Sequence, residues 1–114
     1  MIDLIDFAKH VRQNASFGLQ GHEIGDATCS IILVHYTEPG MGPKLHRHPY
    51  PEIFVTIEGQ ARFTVGNETM LVSAGQIVVA PANVPHKFVS VGDGPLRQVD
   101  IHCSPRFQTE WLEV

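Results

Sequence analysis

From Thr28 onward the apolar residues never keep the three-to-four spacing of a helix. They fall instead in short β-prone runs cut by Gly, Pro and Asn. Ser30 to Tyr36 reads as one strand, ended by Glu38-Pro39-Gly40-Met41-Gly42-Pro43, whose prolines and glycines cannot continue a central strand. Ile53 to Glu58 is a second, and Gly59-Gln60 turns it into Ala61 to Val65, where apolar and polar residues alternate with a period of two. Gly66-Asn67 suits a tight hairpin into Thr69 to Val72. Ser73-Ala74-Gly75 then leads into Gln76 to Val79, and Pro81 to Pro85 forms a turn before Lys87 to Val91. Gly92-Asp93-Gly94-Pro95 precedes a last long strand, Leu96 to Cys103. Roughly seven to nine strands at this spacing predict an all-β sandwich or small barrel.

The ends are less regular. Residues 1–27 form an N-terminal segment in which Leu4 to Val11 suits either a short helix or an edge strand, 28–104 make the barrel, and 105–114 are a tail packing on it. Phe107 and Trp111 are four apart and would share a face on a helical turn; packing on the barrel exterior or on a second subunit is expected of them.

Composition narrows the function. At 114 residues there is room for one core. A net charge of -4 gives no electrostatic excess to hold a phosphate backbone or an anionic bilayer, so neither nucleic acid nor membrane is expected as a partner. No apolar run approaches the roughly 20 residues of a spanning helix. Met1 to Asp6 is acidic where a secretory signal would be basic, which predicts a cytoplasmic protein. Cys29 and Cys103 make no CxxC pair and read as two lone thiols. There is no GxSxG elbow, P-loop or GxGxxG motif.

The chemistry concentrates in histidine. His46 and His48 stand at i and i+2, so on an extended strand both imidazoles project from one face. Glu52 lies at an even offset from both, although Pro49 and Pro51 interrupt the alternation. His86 follows Pro81-Ala82-Asn83-Val84-Pro85, a rigid turn that would fix the direction in which the next strand enters. Taken singly, each residue reads equally well as surface or turn. If the strands are regular, Phe54 and Thr56 share the face of Glu52, and Phe88 and Ser90 that of His86. Gln98, Asp100 and His102 share another face, which either lines the same cavity or is solvated. His35 or His102 could hydrogen-bond to the cluster from outside, His102 being favoured.

Together the four residues sit in two frameworks that resemble the signature motifs of the cupin superfamily. G-x5-H-x-H-x3-E-x6-G is met by Gly40, His46, His48, Glu52 and Gly59, and G-x5-P-x-G-x2-H-x3-N by Gly75, Pro81 and His86. Asn83 replaces the second motif's Gly and Ser90 its Asn. Asn tolerates left-handed geometry, so the turn is expected to survive. The resemblance covers Gly40 to Ser90 and implies a double-stranded β-helix, or jelly roll, holding one divalent transition metal ion by His46, His48, Glu52 and His86. Imidazole with carboxylate suits Zn, Ni, Mn or Fe better than Ca or Mg. It further implies a small-molecule ligand or substrate. A dioxygenase-like oxidoreductase is favoured, with a metal-dependent isomerase or lyase, or a non-catalytic binding module, as alternatives. A homodimer is expected, because small members of that superfamily often pair through barrel edges.

Overall fold

The structure, a computed structural model, describes residues 4–114; Met1-Ile2-Asp3, on which part of the argument against a secretory signal rests, lie outside the described residues. The strands are β1 (Ala15–Leu19), β2 (Ser30–Tyr36), β3 (His46–Arg47), β4 (Glu52–Glu58), β5 (Gln60–Val65), β6 (Glu68–Ser73), β7 (Ile77–Ala80), β8 (His86–Val91), β9 (Leu96–His102) and β10 (Glu110–Trp111). They form two five-stranded antiparallel sheets, β1-β2-β9-β4-β7 and β10-β3-β8-β5-β6. This is the jelly-roll barrel that the motifs imply. Leu4 to Val11 holds only a short 3-10 turn at Phe7–Lys9, and the edge strand lies further on, as β1.

Alternation along each long strand decides what lies inside. On β9, Leu96, Gln98, Asp100 and His102 are all buried, so this polar face turns inward. Phe54 and Thr56 on β4, with Phe88 and Ser90 on β8, are buried as their spacing predicts. The core is aromatic: Phe63 meets Phe54 edge-on at 5.1 Å between centroids and stacks on Phe88 at 5.2 Å. Fully burying each such ring contributes about 1.5–3 kcal/mol.

One stretch of chain sets up the site. His46 ends up in one sheet and Glu52 in the other, and Pro49-Tyr50-Pro51 makes the crossing between them. Each proline lacks an N–H, so this stretch offers little to a ladder and leaves one sheet cleanly for the other. The loop before it is tied to β8: Gly40 N–H donates to Ser90 O at 2.8 Å, and Ser90 Oγ donates to Glu38 O at 2.7 Å. Ser90, where the motif has Asn, therefore still holds the loop.

Gly59 joins β4 to β5 at φ +82°, and a Cβ there would come within 2.2 Å of Pro95 O. Gly59→Ala should lower the unfolding free energy by at least about 2 kcal/mol, from the left-handed backbone and the clash together. Urea titration followed by circular dichroism checks this; an unchanged midpoint would contradict the turn geometry.

Candidate metal centre

His46 on β3 pairs across the sheet with His86 at the start of β8, and Glu52 on β4 pairs with His102 at the end of β9. His48 lies just beyond β3, where its carbonyl accepts the Asn83 N–H at 2.6 Å. Asn83 does take the left-handed conformation, φ +66°, so the Pro81 to Pro85 turn is strapped directly to the segment carrying the first two histidines. All four side chains are buried, and one potential ligand atom from each of His46, His48, Glu52 and His86 lies within 4.8 Å of the others.

Hydrogen bonding fixes the tautomers. His46 Nδ1 lies 2.7 Å from Lys44 O, His86 Nδ1 2.9 Å from Val84 O, and His48 Nδ1 2.9 Å from Gln108 O. A carbonyl only accepts, so each Nδ1 carries the proton and each neutral ring presents a bare Nε2 lone pair to the centre. Glu52 Oε1 nonetheless sits 3.0 Å from His48 Nε2 and 3.1 Å from His86 Nε2. Lone pairs facing a carboxylate oxygen repel unless positive charge lies among them. His48 Nε2 is buried with no hydrogen-bond partner. A donor set of three imidazole nitrogens and one carboxylate, with an orphaned nitrogen among them, fits a divalent transition metal.

The electrostatics agree with that state of readiness. Burial would raise the Glu52 carboxyl, but the hydrogen bond that His102 Nε2–H can donate to Oε2 opposes this, and the carboxyl is drawn below the usual carboxylate range. His46 is pushed down from 6.5 to about 4, mainly by burial, against the pull of its bond to Lys44 O. His46 and Glu52 are thus unprotonated near neutrality, as metal binding would require of them.

His46, His48 and Glu52 form part of the wall of a cavity of about 310 Å³. Ile32, Val34, Phe54 and Phe88 make its apolar lining, and Phe107 and Trp111 close it from the C-terminal side. Trp111 is at the same time 60% exposed, at the outer edge of the sheet. The two aromatics lie on an extended tail, with Trp111 in β10 opposite His46, and so cannot share a helical face. Asp100 contributes a second carboxyl to the cavity; burial, then the charge of Glu52, raise it well above the usual range, against a 2.6 Å bond from Gln98 Nε2.

His102 reaches the cluster from outside, its Nε2 3.2 Å from Glu52 Oε2. His35 does not: it lies on the outward face of β2, in a shallow cleft with Phe7 and Val11. Arg97 forms an exposed ion pair with Glu58 at 3.1 Å. Cys29 and Cys103 are free. Tyr50 and Thr109, which touch the site, were not legible in the sequence; Tyr50 is masked by its flanking prolines and Thr109 has no motif around it.

Comparison with known proteins gives a consistent picture. A family model described as "Cupin domain" matches residues 33–102. The Polyketide synthase CurC of Streptomyces cyaneus is 35% identical over 80 residues, covering 69% of this chain and 51% of that protein. The uncharacterized protein MJ1618 of Methanocaldococcus jannaschii is 35% identical over 54 residues, 46% of this chain and 43% of that one. Among solved structures, the oxalate decarboxylase of Lactobacillus farciminis in a formate complex superposes with a TM-score of 0.76 at 26% identity. It matches over 85% of this chain and 30% of its own. The oxalate decarboxylase of Bacillus subtilis, with Mn(II) centres, gives 0.77 at 27%, over 85% and 27%. The chain spans about half the length of the curated relatives it matches and under a third of these decarboxylase chains.

The pKa directions set a pH dependence for the metal-free protein. As pH falls below 6.5 the unfolded chain takes up the His46 proton before the folded one does, so stability drops until about pH 4. Glu52, depressed in the fold, contributes stability that is present above its ordinary 4.5 and lost as pH falls further toward its folded value. In chelator, the urea midpoint should therefore decline steadily from pH 7 to 4, and His46→Gln should flatten the upper part of the decline. A pH-independent midpoint in the parent chain would contradict this electrostatic picture.

Proposed function

The chain belongs to the cupin family, and on that basis we propose that it is a metal-dependent enzyme acting on an uncharged, aromatic-sized organic molecule bearing hydroxyl or carbonyl oxygens. The carrying observation is the convergence of three bare imidazole nitrogens and one carboxylate oxygen, within 4.8 Å of one another, with His46, His48 and Glu52 on the wall of a largely apolar cavity. His46, His48, Glu52 and His86 are the ligands in this reading. Mn or Fe leads among Mn, Fe, Ni and Zn, since Mn(II) serves the structurally similar decarboxylase. Such an ion would supply Lewis-acid and one-electron chemistry to a coordinated substrate oxygen.

The protein's own residues indicate which substrate fits. Among the described residues lining the cavity there is no Lys or Arg, and two carboxyls, Glu52 and Asp100, face it. A small dianion such as oxalate, on which the similar solved structures act, would enter between apolar walls with no Lys or Arg side chain to pair its second carboxylate. An uncharged ring would instead lie between Phe54, Phe88 and Val34. Asp100, held toward its protonated form, could donate a hydrogen bond to a carbonyl or phenolic oxygen there, and Tyr36 lies on the same wall. Likeness to a polyketide synthase protein points to the same class of oxygenated ring.

Dioxygenase-like oxidation is the reaction we favour, because four protein ligands leave coordination positions for both a substrate oxygen and a second small molecule. Isomerase or lyase chemistry is the second reading, favoured specifically by Asp100 as a proton donor beside the cluster and by the decarboxylase neighbours. The homodimer remains part of the proposal. Leu71 on edge strand β6, with Ile77 and Val79 on edge strand β7, is at least half exposed, and a second copy would cover them.

Protein loaded with Mn or Fe should bind one ion per chain, and His86→Ala should weaken that binding by more than about 100-fold, beyond the loss typical of removing a supporting group. Phenols and β-diketones should be consumed with dioxygen uptake and oxalate left untouched. Turnover without dioxygen would move the assignment to isomerase or lyase, and turnover of oxalate would overturn the uncharged-substrate reading. Light scattering should give twice the chain mass, and the monomer mass would remove the dimer.

A further inference from the structure

The clustered side chains do not stand alone, and two of them, His48 and Glu52, are linked to the C-terminal tail. Gln108 touches the site twice through its backbone. Its carbonyl accepts the Nδ1–H of His48 at 2.9 Å, and its N–H donates to the Tyr50 hydroxyl at 3.3 Å. The same hydroxyl lies 2.7 Å from His102 Nδ1, and His102 Nε2 lies 3.2 Å from Glu52 Oε2.

The directions of these bonds are determined. A carboxylate only accepts, so His102 carries its proton on Nε2 and donates it to Glu52. Its Nδ1 is then an acceptor, and the one proton of the Tyr50 hydroxyl satisfies it. The hydroxyl oxygen is left to accept the Gln108 N–H. Tyr50, His102 and Glu52 are buried, so bulk water does not compete for these donors and acceptors. The chain of donors thus runs from Gln108 through Tyr50 and His102 to Glu52.

Resting on the metal-site reading above, we infer that the C-terminal tail is a clasp that orients two of the four ligands. It acts on His48 directly, through the Gln108 carbonyl, and on Glu52 through the Tyr50–His102 relay. Tyr50 and His102 are positioning residues. They occupy Glu52 Oε2 and so turn Oε1 toward His48 and His86. The tail is fastened independently of the relay. Leu112 N–H donates to Leu45 O at 2.9 Å, Glu113 Oε1 accepts the Leu45 N–H at 2.8 Å, and Arg47 pairs with Glu110 at 2.9 Å. Ligands that are pre-aimed lose less freedom when the ion binds, so tail docking and metal binding are reciprocally linked.

Tyr50→Phe is the sharpest probe. It removes one oxygen while keeping the ring that stacks on His48 at 4.9 Å. Competition against a chelator should show Zn affinity falling about 10- to 100-fold, the usual cost of losing such a partner, on top of the lower metal-free melting temperature expected when the buried His102 Nδ1 loses its donor. His102→Leu should lose as much. His102→Gln, whose amide can still donate to Glu52, should recover part of the loss. Nitrogen-15 NMR of the parent should find His102 in the Nε2–H tautomer. In hydrogen exchange, Zn should slow the Gln108 amide in the parent chain and much less in Tyr50→Phe.

Parental Zn affinity in both Tyr50→Phe and His102→Leu would overturn the relay, as would an Nδ1–H tautomer of His102 or a Gln108 amide indifferent to Zn. If the parent chain itself took up no Zn, Mn or Fe, the metal reading would fall and the clasp with it. Metal uptake by the parent with unaltered variants would remove the clasp alone.

Discussion

Three neutral imidazoles whose only protons are committed to backbone carbonyls cannot also donate to the carboxylate that they surround. Lys44, Val84 and Gln108 each take one Nδ1–H, so the inward atoms of His46, His86 and His48 are lone pairs; those of His86 and His48 lie at hydrogen-bond distance from Glu52 Oε1, and that of His46 within 4.8 Å of the group. Such an arrangement is costly in a buried, weakly screened place unless a cation relieves it. The fold keeps it because the backbone geometry around each histidine over-determines the ring. The cluster is thereby able to hold a metal ion.

The chain path brings that cluster together. The cluster draws its side chains from both layers, and the Pro49-Tyr50-Pro51 crossing delivers His46 to one sheet and Glu52 to the other within six residues of sequence. The Asn83 N–H then binds the His48 carbonyl, bringing the distant His86 turn into register. Gly40, Gly59 and Ser90 serve the same end from further away, by fixing the loops through which these segments enter and leave.

Much of this was legible in advance, and the reasons for the exceptions are physical. Each strand read from alternation and turn residues lies within one residue of its observed bounds, from Ser30–Tyr36 to Leu96–His102. The strands that escaped notice are β1, β3 and β10; two of them are only two residues long and exist because of partners far away in sequence. The four clustered side chains were legible through the spacing of two motifs. The facing of His35 was not, because β2 is apolar on both faces and alternation there carries no sign. Asp100 and His102 stood on a polar strand face that sequence could assign equally to solvent, and only the two-sheet closure turns it inward. Tyr50 and the Gln108 backbone were invisible for a deeper reason. Their roles depend on a hydrogen-bond circuit joining residues about sixty apart, and a backbone atom has no residue identity to recognise.

The tail's tryptophan gives the molecule an instrument of its own. Trp111 is the one tryptophan in the sequence; its ring lies 5.0 Å from that of His46, and 60% of the residue is exposed. Its emission therefore arises beside the ligand cluster and against no competing indole. An open-shell ion at the cluster would quench it, a closed-shell ion would not, and a tail lifting from β3 would shift its colour toward that of indole in water. The chain thus carries, in one side chain, an optical readout of both what occupies its centre and whether its C-terminus is seated.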